Sequence, residues 1–264
     1  MLTTLRLLCI VLFLFILQGV YRNQRKMIKR RDLLALIFLG IFGVFVNQWS
    51  FFVGLETANP TTAALILALT PIVTALLAVI FLREKITTRM IIGSVIAIVG
   101  IFYVVTNGSL SSVQVDEGLG WIIVTMVTFA IMIIMTRFLV QSIHPFYITL
   151  YTNVVGLIVS LPFAFLYDNE VIISRNIAPW LLLVVTAVIV HGLANLLWNQ
   201  HIQHVQASKA SILSNLEPFV AMVVGFILLA KPITSIEFLG GIFIVSGVIF
   251  STYERTRRQK ALLK

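Results

Sequence analysis

Long, uninterrupted apolar runs dominate this sequence and restrict what it can fold into. A helix needs about 20 apolar residues to cross the hydrocarbon core of a bilayer. Charged residues make up only 11% of the chain, against about 25% in soluble domains. The sequence therefore excludes a soluble fold and predicts an all-α polytopic membrane protein with about nine transmembrane helices. The apolar runs lie approximately at 5–20, 33–53, 62–82, 90–106, 119–138, 146–166, 179–199, 209–230 and 236–253.

The basic residues are distributed asymmetrically around these runs. If the segment between the first two runs is cytoplasmic, sixteen of the 19 Lys and Arg residues fall on the cytoplasmic side, where positive residues accumulate. Only Arg6, Arg175 and Lys231 fall on the other side. This predicts a multi-pass protein of the cell (cytoplasmic) membrane with its C-terminus in the cytoplasm and its N-terminus outside. Because the charges flank the spans and form no stripe with interleaved aromatic residues, a nucleic-acid partner is excluded.

The sequence offers no pattern for catalysis or for a cofactor. Cys9 is the single cysteine, so an internal disulfide or a cysteine metal cluster is excluded. His201 and His204 are three residues apart, but they lie in a polar turn without further ligands. A phosphate-binding glycine loop and a Ser/His/Asp set are both missing from the sequence. We therefore predict no enzyme, no cofactor, no metal and no ATP-driven mechanism within this chain.

Two parts of the chain repeat each other at a constant offset of 147 residues. The match covers two helices and the turn between them without a gap, and the charge distribution makes the two copies enter the membrane from opposite sides. An inverted repeat of this kind is common in secondary transporters, where the solute site lies near the bilayer midplane. Matching residues include Pro71 with Pro218, Ile86-Thr87 with Ile233-Thr234, Gly93 with Gly240, and Gly100 with Gly247.

The repeated stretches resemble the drug/metabolite transporter superfamily, and specifically its ten-helix EamA-type members. This resemblance covers essentially the whole chain. It implies an inner-membrane permease, often an exporter of amino acids or other metabolites. The residues that carry it are Gly54-Leu55-Glu56-Thr57-Ala58-Asn59-Pro60-Thr61-Thr62-Ala63-Ala64, Leu69-Thr70-Pro71, Leu82-Arg83-Glu84, Gly93 to Gly100, Leu216-Glu217-Pro218, Gly240 to Gly247 and, at the start, Leu5-Arg6-Leu7.

The resemblance also implies a domain division. We expect a first EamA-like repeat at 1–106, an extracytoplasmic loop at 107–118, a second repeat at 119–253 and a basic cytoplasmic tail at 254–264. The repeats then contain four and five helices, so the family's first helix is expected to be missing here through truncation, a mis-assigned start or degeneration. The acidic residue of the family pattern is Glu84 in the first repeat, whereas Lys231 takes its place in the second.

Glu217 is the most informative single residue for function. It lies well inside an apolar span, where a charged carboxylate costs about 2–3 kcal/mol or more. Ser214 lies three residues earlier, which would give a polar helical stripe, and Pro218 frees a backbone carbonyl one turn earlier. We interpret Glu217 as a solute-binding or proton-sensing carboxylate, with a structural hydrogen-bonding role as the alternative. Thr70 is its equivalent in the first repeat.

A second set of polar residues lies on other spans. His191, Asn195 and Trp198 share a helix face at spacings of four and three, which suits hydrogen bonds and an apolar wall for a small amphipathic solute. Asn47 and Asn153 lie on small-residue faces of their own spans. For each of these residues, hydrogen bonding between helices is the alternative role. The glycines of the repeat are interpreted as helix-packing surfaces.

Together these patterns predict a secondary-active transporter of a small metabolite, amino acid or drug-like solute that works by alternating access. Its partners are the small-molecule solute and the lipid bilayer, while a proton as coupling ion and a homodimer stay open. The alternative is a truncated, non-transporting relict of such a carrier that acts as a membrane scaffold or interaction protein. The substrate-binding residues are predicted to be Glu217, Asn195, Trp198, His191, Asn47, Ser214, Thr70 and Asn153.

Overall fold

The protein is described by a computed structural model, which covers residues 2–24, 28–167 and 176–253. These residues form helices, short turns and no strand, which confirms the predicted all-α class. Eight helices are long and apolar enough to cross a membrane, and α1 is a shorter apolar helix of 16 residues. The helices are α1 Leu2–Leu17, α2 Arg30–Thr57, α3 Pro60–Leu82, α4 Thr88–Thr106, α5 Leu119–Leu139, α6 Pro145–Tyr167, α7 Ile177–His204, α8 Ala207–Leu229 and α9 Ser235–Thr252.

The helix bounds agree with the predicted apolar runs to within a few residues, because hydrophobic length is read directly from the sequence. The loop predicted at 107–118 is irregular apart from a short helical turn at Leu110–Ser112. The predicted basic tail at 254–264 lies outside the described residues, as do Arg25, Lys26 and Arg175.

The chain divides into two compact units that do not follow the sequence repeats. Unit 1 comprises Met1–Ala58 and Glu117–Ala207, and unit 2 comprises Asn59–Asp116 and Ser208–Lys264. Unit 1 therefore contains α1, α2, α5, α6 and α7, whereas unit 2 contains α3, α4, α8 and α9. Each unit takes helices from both halves of the chain.

Within unit 2, the two copies of the repeat have matching secondary structure. In the first copy a helical segment covers Pro60–Leu67 and the next begins at Thr70; in the second copy the equivalent segments are Ala207–Ser214 and Glu217–Leu229. Each segment that follows the break has proline at its second position, where the missing N–H costs no hydrogen bond within the segment that begins there. The repeat found in the sequence is thus a repeat of backbone structure.

The turn after each broken helix repeats as well. Arg83 and Ala230, again 147 residues apart, are both left-handed, with φ of 54° and 52°. Thr87 and Thr234 then cap the following helices by accepting hydrogen bonds from Met90 N and Glu237 N. A side-chain cap of this kind satisfies an N–H that has no partner inside the helix.

Helices α4 and α9 pack directly against each other through the repeated glycines. A Cβ at Gly93 would lie 2.5 Å from the carbonyl oxygen of Gly247, and one at Gly100 would lie 2.6 Å from that of Gly240. The start of α4 therefore faces the end of α9, so the two equivalent helices are antiparallel. Small residues are what allow helix backbones to come this close in a membrane. This confirms the interpretation of these glycines as packing surfaces.

The difference between Glu84 and Lys231 has a structural reason. Glu84 Oε2 accepts hydrogen bonds from Ser208 N (3.2 Å) and Ser208 Oγ (2.6 Å), which caps the start of α8. The equivalent start of α3 is capped by Asn59 Oδ1, which accepts from Thr61 N. Because α3 carries its own cap, a second carboxylate is not needed at position 231. Lys231 Nζ instead lies 3.6 Å from Glu237 Oε1.

Candidate functional site

Helix α1 brings a basic residue into unit 1, between α2 and α7. It packs along α6, where Thr4 Oγ1 donates to Ser160 O, and across α7, where the ring of Phe13 lies against Gly192. A Cβ at Gly192 would lie 2.8 Å from Phe13 Cδ1, so glycine allows this close approach. This packing of α1 places Arg6 opposite polar side chains of α2 and α7.

Arg6 forms the centre of a polar cluster with Gln48 of α2 and His191 of α7. Its Nη2 donates to Gln48 Oε1 at 2.6 Å, and its Nη1 lies 3.3 Å from His191 Nε2. The guanidinium carbon also lies 5.1 Å from the centre of the Phe52 ring, a distance at which a cation interacts favourably with the ring. We call Arg6, Gln48, Phe52 and His191 the Arg6 cluster.

The Arg6 cluster lies deep in the spans. Gln48 is nine residues from the end of α2, or about 13 Å at 1.5 Å per residue. His191 is near the middle of α7, about 20 Å from either end. Since the hydrocarbon core of a bilayer is about 30 Å thick, these positions fall well inside it.

Both long helices are irregular at the Arg6 cluster. α2 is a π-helix over Leu39–Val46, directly before Asn47 and Gln48, and α7 is a π-helix over Thr186–Ala194, which includes His191. A π-turn widens the helix and redirects side chains, and it occurs often at functional sites. The π-helical segments thus adjoin the polar side chains on both helices that face Arg6.

The other predicted site residues of α7, Asn195 and Trp198, lie in the turns that follow His191. Asn195 begins the regular helix that follows the π-helical segment, and Trp198 lies one turn later. All three side chains are half-buried. Among the described residues, the Asn195 amide makes no hydrogen bond, so its donors and its acceptor are available to a ligand. Asn199, which is buried, instead donates to Thr149 Oγ1 of α6 at 2.9 Å.

Asn47 and Asn153 have their amides engaged within unit 1. Asn47 Nδ2 donates to Thr125 O and to Thr128 Oγ1, both at 2.9 Å, which ties α2 to α5. Asn153 is 4% exposed, and its Nδ2 donates to Thr149 O one turn earlier in α6. These contacts give both residues a packing role, whatever else they do. The sequence alone left that alternative open.

Asn47 and Asn195 make a matched pair for separating packing from ligand binding. We expect Asn47→Ala to lower the free energy of unfolding by about 1–2 kcal/mol, because two hydrogen bonds between helices are lost. Asn195→Ala should change it by less than about 0.5 kcal/mol. Thermal unfolding of both variants in the same detergent measures the difference, and equal losses would contradict the assignment.

The remaining predicted residues lie in unit 2, at the breaks of α3 and α8. Thr70 is buried, and its Oγ1 donates to Leu67 O, the carbonyl that Pro71 leaves without its helical donor. In the second repeat, Pro218 likewise leaves the carbonyl of Ser214 without its helical donor. Glu217 is the residue equivalent to Thr70. An ionised carboxylate has no proton to donate, so only protonated Glu217 has the donor that Thr70 supplies.

The predicted stripe of Ser214 and Glu217 needs a correction. It assumed one continuous helix, but the helix ends at Ser214 and restarts at Glu217 because Pro218 cannot continue it. Glu217 therefore lies in the first turn of a helical segment, where the helix dipole favours a negative charge. Its side chain is exposed, that is, not covered by other residues.

Arg6 was not among the candidate site residues that the sequence indicated. Arg6 was considered only for its charge, which indicates topology, and as part of the Leu5-Arg6-Leu7 match to the family, and Gln48 was not singled out. The available signal was a basic residue near the start of an apolar run, together with polar residues in the middle of two other spans. A charged residue inside a span is by itself a reason to look for function.

Comparisons with known proteins agree with this architecture. At 31% identity, the chain matches an uncharacterized transporter, YyaM, of Bacillus subtilis, over 90% of this chain and 78% of that protein. At 28% identity, it matches an uncharacterized transporter of Archaeoglobus fulgidus over 87% of this chain and 81% of the relative. An uncharacterized inner membrane transporter, YicL, of Salmonella typhimurium is 24% identical over 88% of this chain and 77% of its own length.

The fold also matches a solved crystal structure with a TM-score of 0.80, covering 100% of this chain and 88% of that one at 14% identity. Identity this low supports the fold alone. The sequence profile of the EamA-like transporter family matches residues 1–106 and 116–253. Eight membrane-spanning helices, a repeated helix pair and this match agree: the chain is a multi-pass membrane protein that belongs to the EamA-like transporter family.

Proposed function

We propose that this protein is a secondary-active transporter that moves a small metabolite, amino acid or drug-like solute by alternating access. The observation that carries the proposal is the antiparallel contact between the equivalent helices α4 and α9. Two copies of one structure in opposite orientations can exchange their conformations. Each exchange then yields a similar structure that opens to the other side of the membrane.

The driving force in this proposal is a gradient of the solute or of protons. The sequence carries no nucleotide-binding motif that would supply energy from ATP. Glu217 is the proposed proton site, because protonation would give it a hydrogen-bond donor like that of Thr70 in the first repeat. Proton release and uptake at Glu217 would then change the relative stability of the two repeats' conformations.

In this proposal the transporter lies in the cell membrane with its C-terminus in the cytoplasm. The excess of basic residues in the cytoplasmic segments supports that orientation, and the name of the Salmonella relative includes the inner membrane. We propose repeats at 1–106 and 119–253, as in the family. The residues proposed to contact the solute are His191, Asn195, Trp198, Asn47 and Asn153 in unit 1, and Thr70, Ser214 and Glu217 in unit 2.

Transport in proteoliposomes tests the proposal. The purified protein is reconstituted, and uptake of a panel of radiolabelled metabolites is followed with and without an imposed proton gradient. We expect saturable movement of at least one solute, which disappears in protein-free liposomes and weakens when an ionophore collapses the gradient. Monodisperse, folded protein that moves no solute in either direction would favour the scaffold alternative.

A further inference from the structure

The Arg6 cluster has a positive charge inside the membrane-spanning region with only neutral partners. Arginine keeps its charge and can only donate hydrogen bonds. His191 Nε2 must therefore be the acceptor in its contact with Arg6, which places the His191 proton on Nδ1 and leaves the ring neutral. Gln48 is neutral as well, and no carboxylate pairs with Arg6 among the described residues. The cluster thus carries a net charge of about +1.

A charge of this kind is costly in the hydrocarbon core unless an opposite charge or water meets it. The Nε of Arg6 is buried and has no hydrogen-bond partner among the described residues. Only one N–H on each of Nη1 and Nη2 is used by the observed contacts. Arginine has five N–H donors, so three stay without an acceptor in the part of the chain that the structure describes. The cluster therefore lacks one negatively charged acceptor.

From this we infer that the Arg6 cluster binds the carboxylate of the transported solute, an inference that rests on the proposed function. A carboxylate fits the guanidinium fork with two parallel, charge-assisted hydrogen bonds, which are about twice as strong as hydrogen bonds between neutral groups. Asn195, one turn along α7 from His191, has a free amide for a second polar group of the solute. Trp198 and the Phe52 ring offer apolar surface for its carbon skeleton.

A single negative charge is favoured over a phosphate group. In the described helices, every other Lys and Arg lies in a first or last turn, namely Arg30, Arg31, Arg89, Arg137 and Lys209. Among the basic residues of the described helices, Arg6 is thus the one whose side chain contacts polar residues in the middle of other spans, namely Gln48 and His191. A phosphate monoester carries close to two negative charges at neutral pH, and one guanidinium would leave half of that charge unpaired.

Ligand binding in detergent tests this assignment without requiring transport. The probes are acetate, benzoate and L-leucine, each compared with its amide (acetamide, benzamide and L-leucinamide), and inorganic phosphate. We expect at least one carboxylate to raise the midpoint of thermal unfolding of the wild-type protein, while its amide and phosphate do not. Arg6→Gln should lose this response, with at least tenfold weaker binding. Arg6→Lys, which keeps the charge but not the fork, should retain part of it.

Arg137→Gln is the matched control for these variants. The Nε of Arg137 is also buried without a hydrogen-bond partner among the described residues, but Arg137 lies in the last turn of α5 rather than in mid-span. The substitution therefore removes a comparable guanidinium from a different place in the protein. We expect Arg137→Gln to leave the carboxylate response unchanged. Loss of the response in Arg137→Gln as well as in Arg6→Gln would contradict the assignment to Arg6.

A purely structural role for Arg6 gives a different result. Both Arg6 variants would then unfold at a lower temperature than the wild type but keep the same preference for carboxylate over amide, and that result overturns the inference. Absence of any carboxylate preference in the wild type also overturns it, as does a preference for phosphate.

The same variants separate this inference from the proposed function. If the wild type binds a carboxylate through Arg6 but moves no solute in proteoliposomes, the binding site stands and the transport proposal fails. If a solute is transported with the same KM by the wild type and by Arg6→Gln, transport stands and the carboxylate assignment fails.

Discussion

Replacing Gly100 by leucine is expected to lower the midpoint of thermal unfolding by roughly 6–12 °C, which corresponds to a loss of about 3 kcal/mol. A side chain at this position would meet the carbonyl oxygen of Gly240 and the amide nitrogen of Ile244, both 2.6 Å from the Cβ site. Both atoms belong to the backbone of α9, which cannot rotate away as a flexible side chain could. The two helices would have to separate along their shared face.

Gly225→Leu is the matched control. Gly225 also lies inside a membrane-spanning helix, but beyond the neighbouring backbone of its own helix no atom of the described residues lies within 4 Å of its Cβ site. We expect this variant to unfold within about 1–2 °C of the wild type. A similar loss of stability in the two variants would show that a leucine is disfavoured at both sites for reasons other than contact between α4 and α9.

The second large effect is expected from Glu217→Gln. A glutamine amide carries a permanent N–H donor, so it resembles protonated rather than ionised Glu217. If protonation of Glu217 is part of the transport cycle, this variant loses coupling to the proton gradient. We expect gradient-driven accumulation of the solute to fall by about tenfold or more, a change of about 1.4 kcal/mol or more in the coupling free energy.

Two comparisons sharpen the Glu217 experiment. Exchange of solute across the membrane without a gradient should persist in Glu217→Gln, since the solute-moving steps need no proton release. Glu56→Gln, at the exposed end of α2, should leave both activities unchanged. Accumulation and exchange that match the wild type at every pH would remove Glu217 from the mechanism.

The repeat predicted from the sequence is also present in the backbone structure. The offset of 147 residues rested on matched prolines and glycines. The structure added that the helix breaks before Pro71 and Pro218 and the left-handed residues Arg83 and Ala230 repeat at the same offset. Proline and glycine act on the backbone of their own segment, so their effects can be read locally. The continuous stripe of Ser214 and Glu217 was the exception, because helical spacing was applied across a proline.

The sequence by itself determined where the membrane-spanning helices lie and which of them repeat, because hydrophobic length and proline positions are properties of one segment at a time. Only the tertiary structure decided that Arg6 meets Gln48 and His191 and that Asn47 bonds to Thr125 and Thr128. These residues are 42 to 185 positions apart in the chain. Which polar side chains pair across such separations depends on how the helices pack, and no local pattern encodes it.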